Sequence, residues 1–182
     1  MGLTLNDQCQ PQVIQTARLT LRPLTLADVD AIFAIIGDPI AMQYYPRAYT
    51  RKDAVEWVER NQRRYENDGY GILAMALKGI IELIGDCGIV RQTVEEESML
   101  EVGYHLRRDQ WGHGYATEAA RACMDYAFGE LGAAKVVSLI RPENTPSRRV
   151  AERNEMQVER RVMHDGLPHL LYVMKRETYG QA

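Results

Sequence analysis

Residues 100–140, LEVGYHLRRDQWGHGYATEAARACMDYAFGELGAAKVVSLI, constrain the fold more than any other stretch of the chain. An apolar strand pattern, LEVGYHL at 100–106, runs into a turn holding Gly112 and Gly114. A helical pattern follows from about Tyr115 to Leu131, with Gly132 as its stop signal. The next run, AKVVSLI at 134–140, is rich in β-branched residues and reads as a second strand. Two strands joined through a helix run parallel, with a right-handed crossover. A mixed α/β sheet is therefore expected.

The rest of the chain fills in around this unit. ARLTLRPL (17–24) alternates as a half-buried strand. Thr25 and Asp28 cap a helix carrying Val29, Ile32, Phe33 and Ile36, and Gly37 and Pro39 stop it. Thr50 and Asp53 open a second helix, with Ala54, Trp57, Val58 and Tyr65 along one stripe and Gly69 at its end. YGILAMALKGIIELIGDCGIV (70–90) reads as an antiparallel hairpin, and RQTVEEESM (91–99) as a polar acidic loop. RPENTPSRRVAERNEM gives a loop and a short helix, followed by the strand-like runs QVERRVM and HLLYVMKRE. Repeats, linkers and low-complexity tracts are not expected.

A chain of 182 residues with 46% hydrophobic and 26% charged residues suits one globular domain with a real core. A formal charge of −3 and a pI near 5.8 offer no global attraction to nucleic acid or anionic lipid. No apolar run approaches the roughly 20 residues of a membrane span, and the opening lacks the pattern of a signal peptide. A cytoplasmic protein without direct nucleic-acid binding is expected. Cys9, Cys87 and Cys123 are odd in number and far apart, which predicts reduced thiols.

The glycine turn is the chemical feature. A strand that feeds a helix through such a turn aims unpaired backbone N–H groups and the positive end of the helix dipole outward, and glycine lets a ligand come close. Phosphate is the natural guest, with the N–H groups of residues 112–117 as donors. A tight turn without a ligand is the competing reading. The third glycine of a dinucleotide fingerprint is replaced by Thr117, and no Walker A ending occurs.

The stretch EVGYHLRRDQWGHGYATEAARACMDYAFGELG with KVVSLIRPENTPSRRVAERNEM resembles the GNAT superfamily of acetyl-CoA-dependent N-acetyltransferases. Within it, the likeness is to the RimJ/RimL branch of ribosomal-protein N-terminal acetyltransferases. The resemblance implies an α/β (α+β) single domain, a mixed, mostly antiparallel twisted sheet of about seven strands with four flanking helices. It places a polar N-terminal extension at 1–15 and the acetyltransferase domain at 16–177. It implies acetyl-CoA as cofactor, CoA as product, and an amine acceptor, either a protein N-terminus or a small molecule. A monomer or homodimer is expected.

The same resemblance assigns the cofactor contacts. Tyr104, His105, Leu106 and Arg107 would run beside the pantetheine arm. Trp111, Gly112, His113, Gly114, Tyr115, Ala116 and Thr117 would wrap the pyrophosphate, with Trp111 standing where the wider family often has Arg or Gln. Asn144 would bond the pantetheine and Ser147 would sit by the thioester sulfur, against a plain capping role for Ser147. Among Arg148, Arg149 and Arg153, Arg153 is the candidate for the CoA 3′-phosphate. The family usually has Gly where Glu155 stands, so either Asn154 takes the left-handed position or the turn differs.

The reaction needs a free amine, donors to the developing oxyanion and a proton for the departing thiolate. Glu101 is the candidate base, through water, and Ser147 the candidate acid. His105 shares a strand face with Glu101, and packing is the competing reading for it. His164 and His169 have no third ligand at metal spacing, so no metal is expected. Tyr44, Tyr45, Pro46 and Tyr49 would form a wall of the acceptor pocket or pack in the core. A non-catalytic acyl-CoA-binding module and a Rossmann-type nucleotide binder are the competing classes.

Overall fold

The computed structural model describes residues 13–180. Its strands are β1 (Ile14–Gln15), β2 (Leu19–Pro23), β3 (Ile72–Leu77), β4 (Leu83–Val94), β5 (Glu97–Leu106), β6 (Lys135–Ile140), β7 (Gln157–His164) and β8 (Leu167–Lys175). The helices are α1 (Val29–Ile36), α2 (Arg51–Asp68), α3 (Tyr115–Gly129) and α4 (Thr145–Arg153). One eight-stranded sheet has the order β1-β2-β3-β4-β5-β6-β8-β7. Its neighbours pair antiparallel except β5 and β6, which the α3 crossover makes parallel, as the sequence requires. The eighth strand is β1, two residues paired to β2 and too short for a periodicity to reveal. Cys9 and most of the expected N-terminal extension lie outside the described residues.

Helices cover both faces of the sheet. The buried stripe of α3, Ala119, Ala120, Cys123, Met124, Ala127 and Phe128, packs with Leu21, Leu73, Met75 and Val102. On the other face, Val29, Ile32, Ile35 and Ile36 of α1 and Ala54 and Val58 of α2 pack on Ile72, Ala74, Leu83 and Val90. Strand β3 is buried on both sides, which is why ILAMAL shows no alternation. A core leucine or isoleucine cut to alanine here costs about 2–5 kcal/mol. The α2 start is the capping box read from sequence: the Thr50 hydroxyl accepts from Asp53 N at 3.2 Å, and Asp53 accepts from Thr50 N at 2.6 Å. No helix among the described residues is long and apolar enough to cross a membrane.

Three local expectations are corrected. Residues 91–99 are not a loop: β4 continues to Val94, β5 begins at Glu97, and Glu95 and Glu96 form a two-residue turn with φ of 47° and 71°. Burial of Val94 and Met99 with Val137, Val162 and Leu171 favours this longer hairpin. Helix α3 ends at Gly129: Glu130 N makes the last helical bond, to Tyr126 O, while Leu131 N falls back on that same carbonyl and Ala133 N bonds Ala127 O, with Gly132 at φ 66°.

The third correction concerns Glu155. Glu155 itself, not Asn154, adopts the left-handed conformation, with φ 63°. Met156 N bonds Ala151 O at 3.0 Å and Glu155 N bonds Glu152 O at 3.0 Å, the two bonds of a Schellman end. Buried Met156 supplies its apolar contact, and Asn154 Nδ2 fixes the end to Thr117 O at 3.2 Å. The packing holds a residue that pays about 1–2 kcal/mol of backbone strain. Glu155→Gly should therefore raise stability by about 1 kcal/mol, a thermal midpoint 2–4 °C higher; a lower midpoint would show that the glutamate side chain contributes more than its strain costs.

Candidate active site

The site begins where the parallel pair opens. Strands β5 and β6 pair in register at Glu101 and Val137. Beyond that point side chains replace the backbone ladder: Ser138 Oγ donates to Val102 O at 2.6 Å, and Leu139 N donates to Glu101 Oε1 at 3.3 Å. The strands then part, and a cavity of about 420 Å³ occupies the gap. It is lined by residues of β5, the end of β6, the start of α4, helix α2 with the loop before it, and the β7–β8 turn.

On one side lies the glycine turn. Gly112 and Gly114 have φ of 83° and 81°, a conformation that side chains rarely adopt. Nothing lies within 4 Å of a Cβ built at Gly112. The first helical bond of α3 is Glu118 N to Gly114 O, so no hydrogen bond to another described residue uses the N–H groups of residues 112–117. The turn is fixed from behind. Arg18 donates to His113 O at 2.9 Å and pairs with Glu118 at 2.6 Å, while Trp111 Nε1 reaches Leu106 O at 2.9 Å. His113 stacks on Tyr115. Free N–H groups at the start of a helix, with no side chain in the way, are the geometry that suits an anion.

On the other side is the start of α4. Asn144 is its N-cap, accepting from Ser147 N at 3.1 Å. The capping role weighed for Ser147 thus belongs to Asn144. Ser147 lies in the first turn and lines the cavity, its carbonyl bonded by the Tyr104 hydroxyl at 3.0 Å. Arg148 is held by Tyr172 and Pro142 O, and Arg107 is held by Asp109 and Glu82. Arg153 is exposed at the far end of α4, away from Ser147.

Glu101 sits half-buried where the strands part. Burial pushes its carboxyl up to about 7, against the opposing pull of the Leu139 N–H and the charges of Arg64 and His105. Beside it, His105 Nδ1 meets Asp86 Oδ1 at 2.8 Å and its Nε2 meets the Tyr45 hydroxyl at 2.8 Å. Asp86, 1% exposed, also accepts from His105 N at 3.0 Å and Trp57 Nε1 at 3.0 Å. Burial pulls the His105 imidazole down, but the charge and hydrogen bond of Asp86 outweigh it, so His105 holds its proton above the ordinary value.

Tyr44, Tyr45, Pro46 and Tyr49 line the cavity, Tyr49 also packing against the α1–α2 core, and His164 and His169 line it too. Sequence reasoning missed Asp86, Trp57, Ser138, Arg60 and Arg64. Asp86 carried a signal: a lone carboxylate within the apolar run ELIGDCGIV needs buried partners.

A family model for the acetyltransferase (GNAT) domain matches residues 18–157. The uncharacterized protein YkkB of Bacillus subtilis (strain 168) is 37% identical over 166 residues, covering 91% of this chain and 95% of that protein. An acetyltransferase from Agrobacterium tumefaciens str. C58 superposes with a TM-score of 0.79 at 30% identity, over 96% of this chain and 98% of that one. Mycobacterium smegmatis RimJ, solved with CoA-disulfide, shares the fold at 22% identity and a TM-score of 0.73, over 96% and 92% of the two chains. The chain belongs to the GNAT acetyltransferases, acetyl-CoA-dependent N-acyltransferases.

Two outcomes test this geometry. Gly114→Val should cost about 1–2 kcal/mol of stability through its left-handed φ, and should raise the acetyl-CoA Kd of the folded fraction more than about ten-fold. Calorimetry that finds an unchanged Kd would remove the anion-binding reading of the turn. The second outcome concerns pH. Glu101 and His105 both bind protons more tightly in the folded chain than ordinary side chains do, so the folded state holds the more protons near neutrality. The Glu101 contribution is present below the ordinary carboxylate value and is lost as pH rises through about 7, and that of His105 is lost as pH rises above the ordinary imidazole value. The thermal midpoint should fall from about pH 6 to about pH 8, and Glu101→Gln should flatten that fall; parallel curves would contradict the shift.

Proposed function

We propose that the chain moves the acetyl group of acetyl-CoA directly onto a primary amine, with Glu101 as base and Ser147 as proton donor to sulfur. The single observation that carries this reading is Glu101 at the parting of β5 and β6, with its carboxyl near 7. A base of that strength is matched to an α-amine, whose reference value is about 7.7–8.0, far better than to a lysine near 10.4. A protein N-terminal α-amine is therefore the acceptor class favoured here, in keeping with the RimJ/RimL resemblance.

The residues present suit acetyl-CoA. The unused N–H groups of residues 112–117 would take the pyrophosphate, and the β5 edge from Tyr104 to Arg107 and the Asn144 side chain would line the pantetheine. Arg153, exposed and without a carboxylate partner among the described residues, would meet the 3′-phosphate. Acetyl-CoA supplies the activated thioester. Glu101, through a water, removes the proton from the attacking amine. As the amine nitrogen bonds the acetyl carbon and the carbon–sulfur bond breaks, Ser147 Oγ gives its proton to the departing thiolate and regains one from solvent, and the Tyr104 hydroxyl holds the Ser147 carbonyl in place.

Glu101→Gln should lower kcat/KM by roughly 10²–10⁴ and abolish the rise of rate with pH through about 7. Ser147→Ala should lower kcat by roughly 10–1000-fold with acetyl-CoA affinity near normal. Because Asn144 is the cap, its thermal midpoint should stay close to that of the parent. An intact kcat in this folded variant would sink the acid assignment.

A further inference from the structure

The α2 wall of the cavity carries charge that neither the fold nor the chemistry of acetyl transfer uses. Arg60 and Arg64 stand one helical turn apart, and both line the cavity. Neither meets a carboxylate within ion-pair distance among the described residues. Arg64 Nη1 reaches only the neutral Asn61 amide oxygen, at 3.2 Å, and Arg60 lies over the Trp57 ring at 5.0 Å. By contrast Arg22, Arg47 and Arg107 each clasp an aspartate at 2.7 Å.

Holding two guanidinium groups side by side is unfavourable, the more so for half-buried Arg64, whose proton affinity is drawn down by burial and by Arg60 against the weaker opposing charges of Asp68 and Glu101. A third cation, Arg141, lines the cavity from the end of β6; its Nη2 pairs with the exposed Glu143 at 3.4 Å, and its Nε is buried without a hydrogen-bond partner among the described residues. The opposing negative groups are few. Glu101 is at the floor, and Asp165 has a side chain 85% exposed at the β7–β8 turn. A cavity with this balance repels polycations and recruits anions.

We infer that the acceptor is an anionic amine, an amine bearing a carboxylate a few bonds from its nitrogen, with Arg60 and Arg64 binding the carboxylate while the nitrogen faces Glu101. This rests on the acetyl-transfer reading of the same cavity. Arg64 is near enough for its charge to act on Glu101, so an amine and an acid group held a few bonds apart would span the two. The carboxylate has two sources, a free acidic amino acid or an acidic residue next to a peptide N-terminus. Polyamines and aminoglycoside-like amines are disfavoured on the same ground.

The test uses the whole chain with acetyl-CoA and five acceptors: glutamate, glutamine α-amide (both carboxyls of glutamate amidated), a short C-terminally amidated peptide with glutamates at its second and third positions, that peptide with glutamines there, and spermidine. Each anionic acceptor that fits should exceed its amide counterpart in kcat/KM by roughly ten-fold or more, with spermidine poorest. Whether the amino-acid pair or the peptide pair shows the preference identifies the source. In Arg60→Gln/Arg64→Gln the preference should collapse toward unity through KM, while acetyl-CoA affinity measured by calorimetry is retained; Arg64→Lys should recover part of it. Equal or better use of the amides or spermidine, or a preference unchanged in the double variant, overturns the inference. The same panel is titrated by calorimetry into protein saturated with CoA, so that inactivity does not hide the answer: no arginine-dependent preference for the anionic amines also overturns it. Arginine-dependent binding without transfer to any amine would instead overturn the proposed function and leave the anionic site standing.

Discussion

Everything in this site depends on where the β5–β6 ladder stops. A parallel pair would ordinarily continue its slanted bonds along both strands, closing the sheet. Here the Ser138 hydroxyl takes the Val102 carbonyl and the Glu101 carboxylate takes the Leu139 N–H. Two short side chains satisfy groups that would otherwise be orphaned, so the strands can part without leaving buried polar groups unpaired. The opening then sets the position of the rest. The end of β5 leads into the glycine turn, the end of β6 leads into α4, and each delivers its chemistry to one side of the gap.

Asp86 holds the second frame of the site. It is buried on β4, and its two oxygens gather His105 of β5 and Trp57 of α2, with Tyr45 joined through the His105 ring. A buried carboxylate is costly alone and useful when every lone pair is engaged. The aromatic loop before α2 is thus tied to the sheet through a charged centre, and this wall of the cavity is positioned by the strand that carries Glu101.

Local signals made much of this legible in sequence. Thr50 with Asp53, the glycines at 112 and 114, and the β-branched run KVVSLI each act within a few residues, and each produced the element it indicates. The misreadings are equally local. Glu95 and Glu96 occupy a two-residue turn that Asn-Gly would announce, and Glu155 fills a left-handed helix end that glycine would announce. In both, tertiary packing of neighbours such as Met99 and Met156 overrides the residue's own preference. The α2 side of the cavity was hidden for another reason. Asp86, Trp57, Arg64 and Ser138 meet across sheet and helix from distant parts of the chain, and no periodicity records such encounters.

The two helical layers lie on opposite faces of the sheet, in separate apolar clusters: α3 on one, α1 and α2 on the other. Substitutions well apart and without shared partners act almost independently. Lineages carrying this scaffold can therefore repack the α1–α2 face, which backs the aromatic wall of the cavity, while the α3 face and the glycine turn at its start stay as they are. Drift would be tolerated in one layer and resisted in the other, with the sheet itself as the boundary between them.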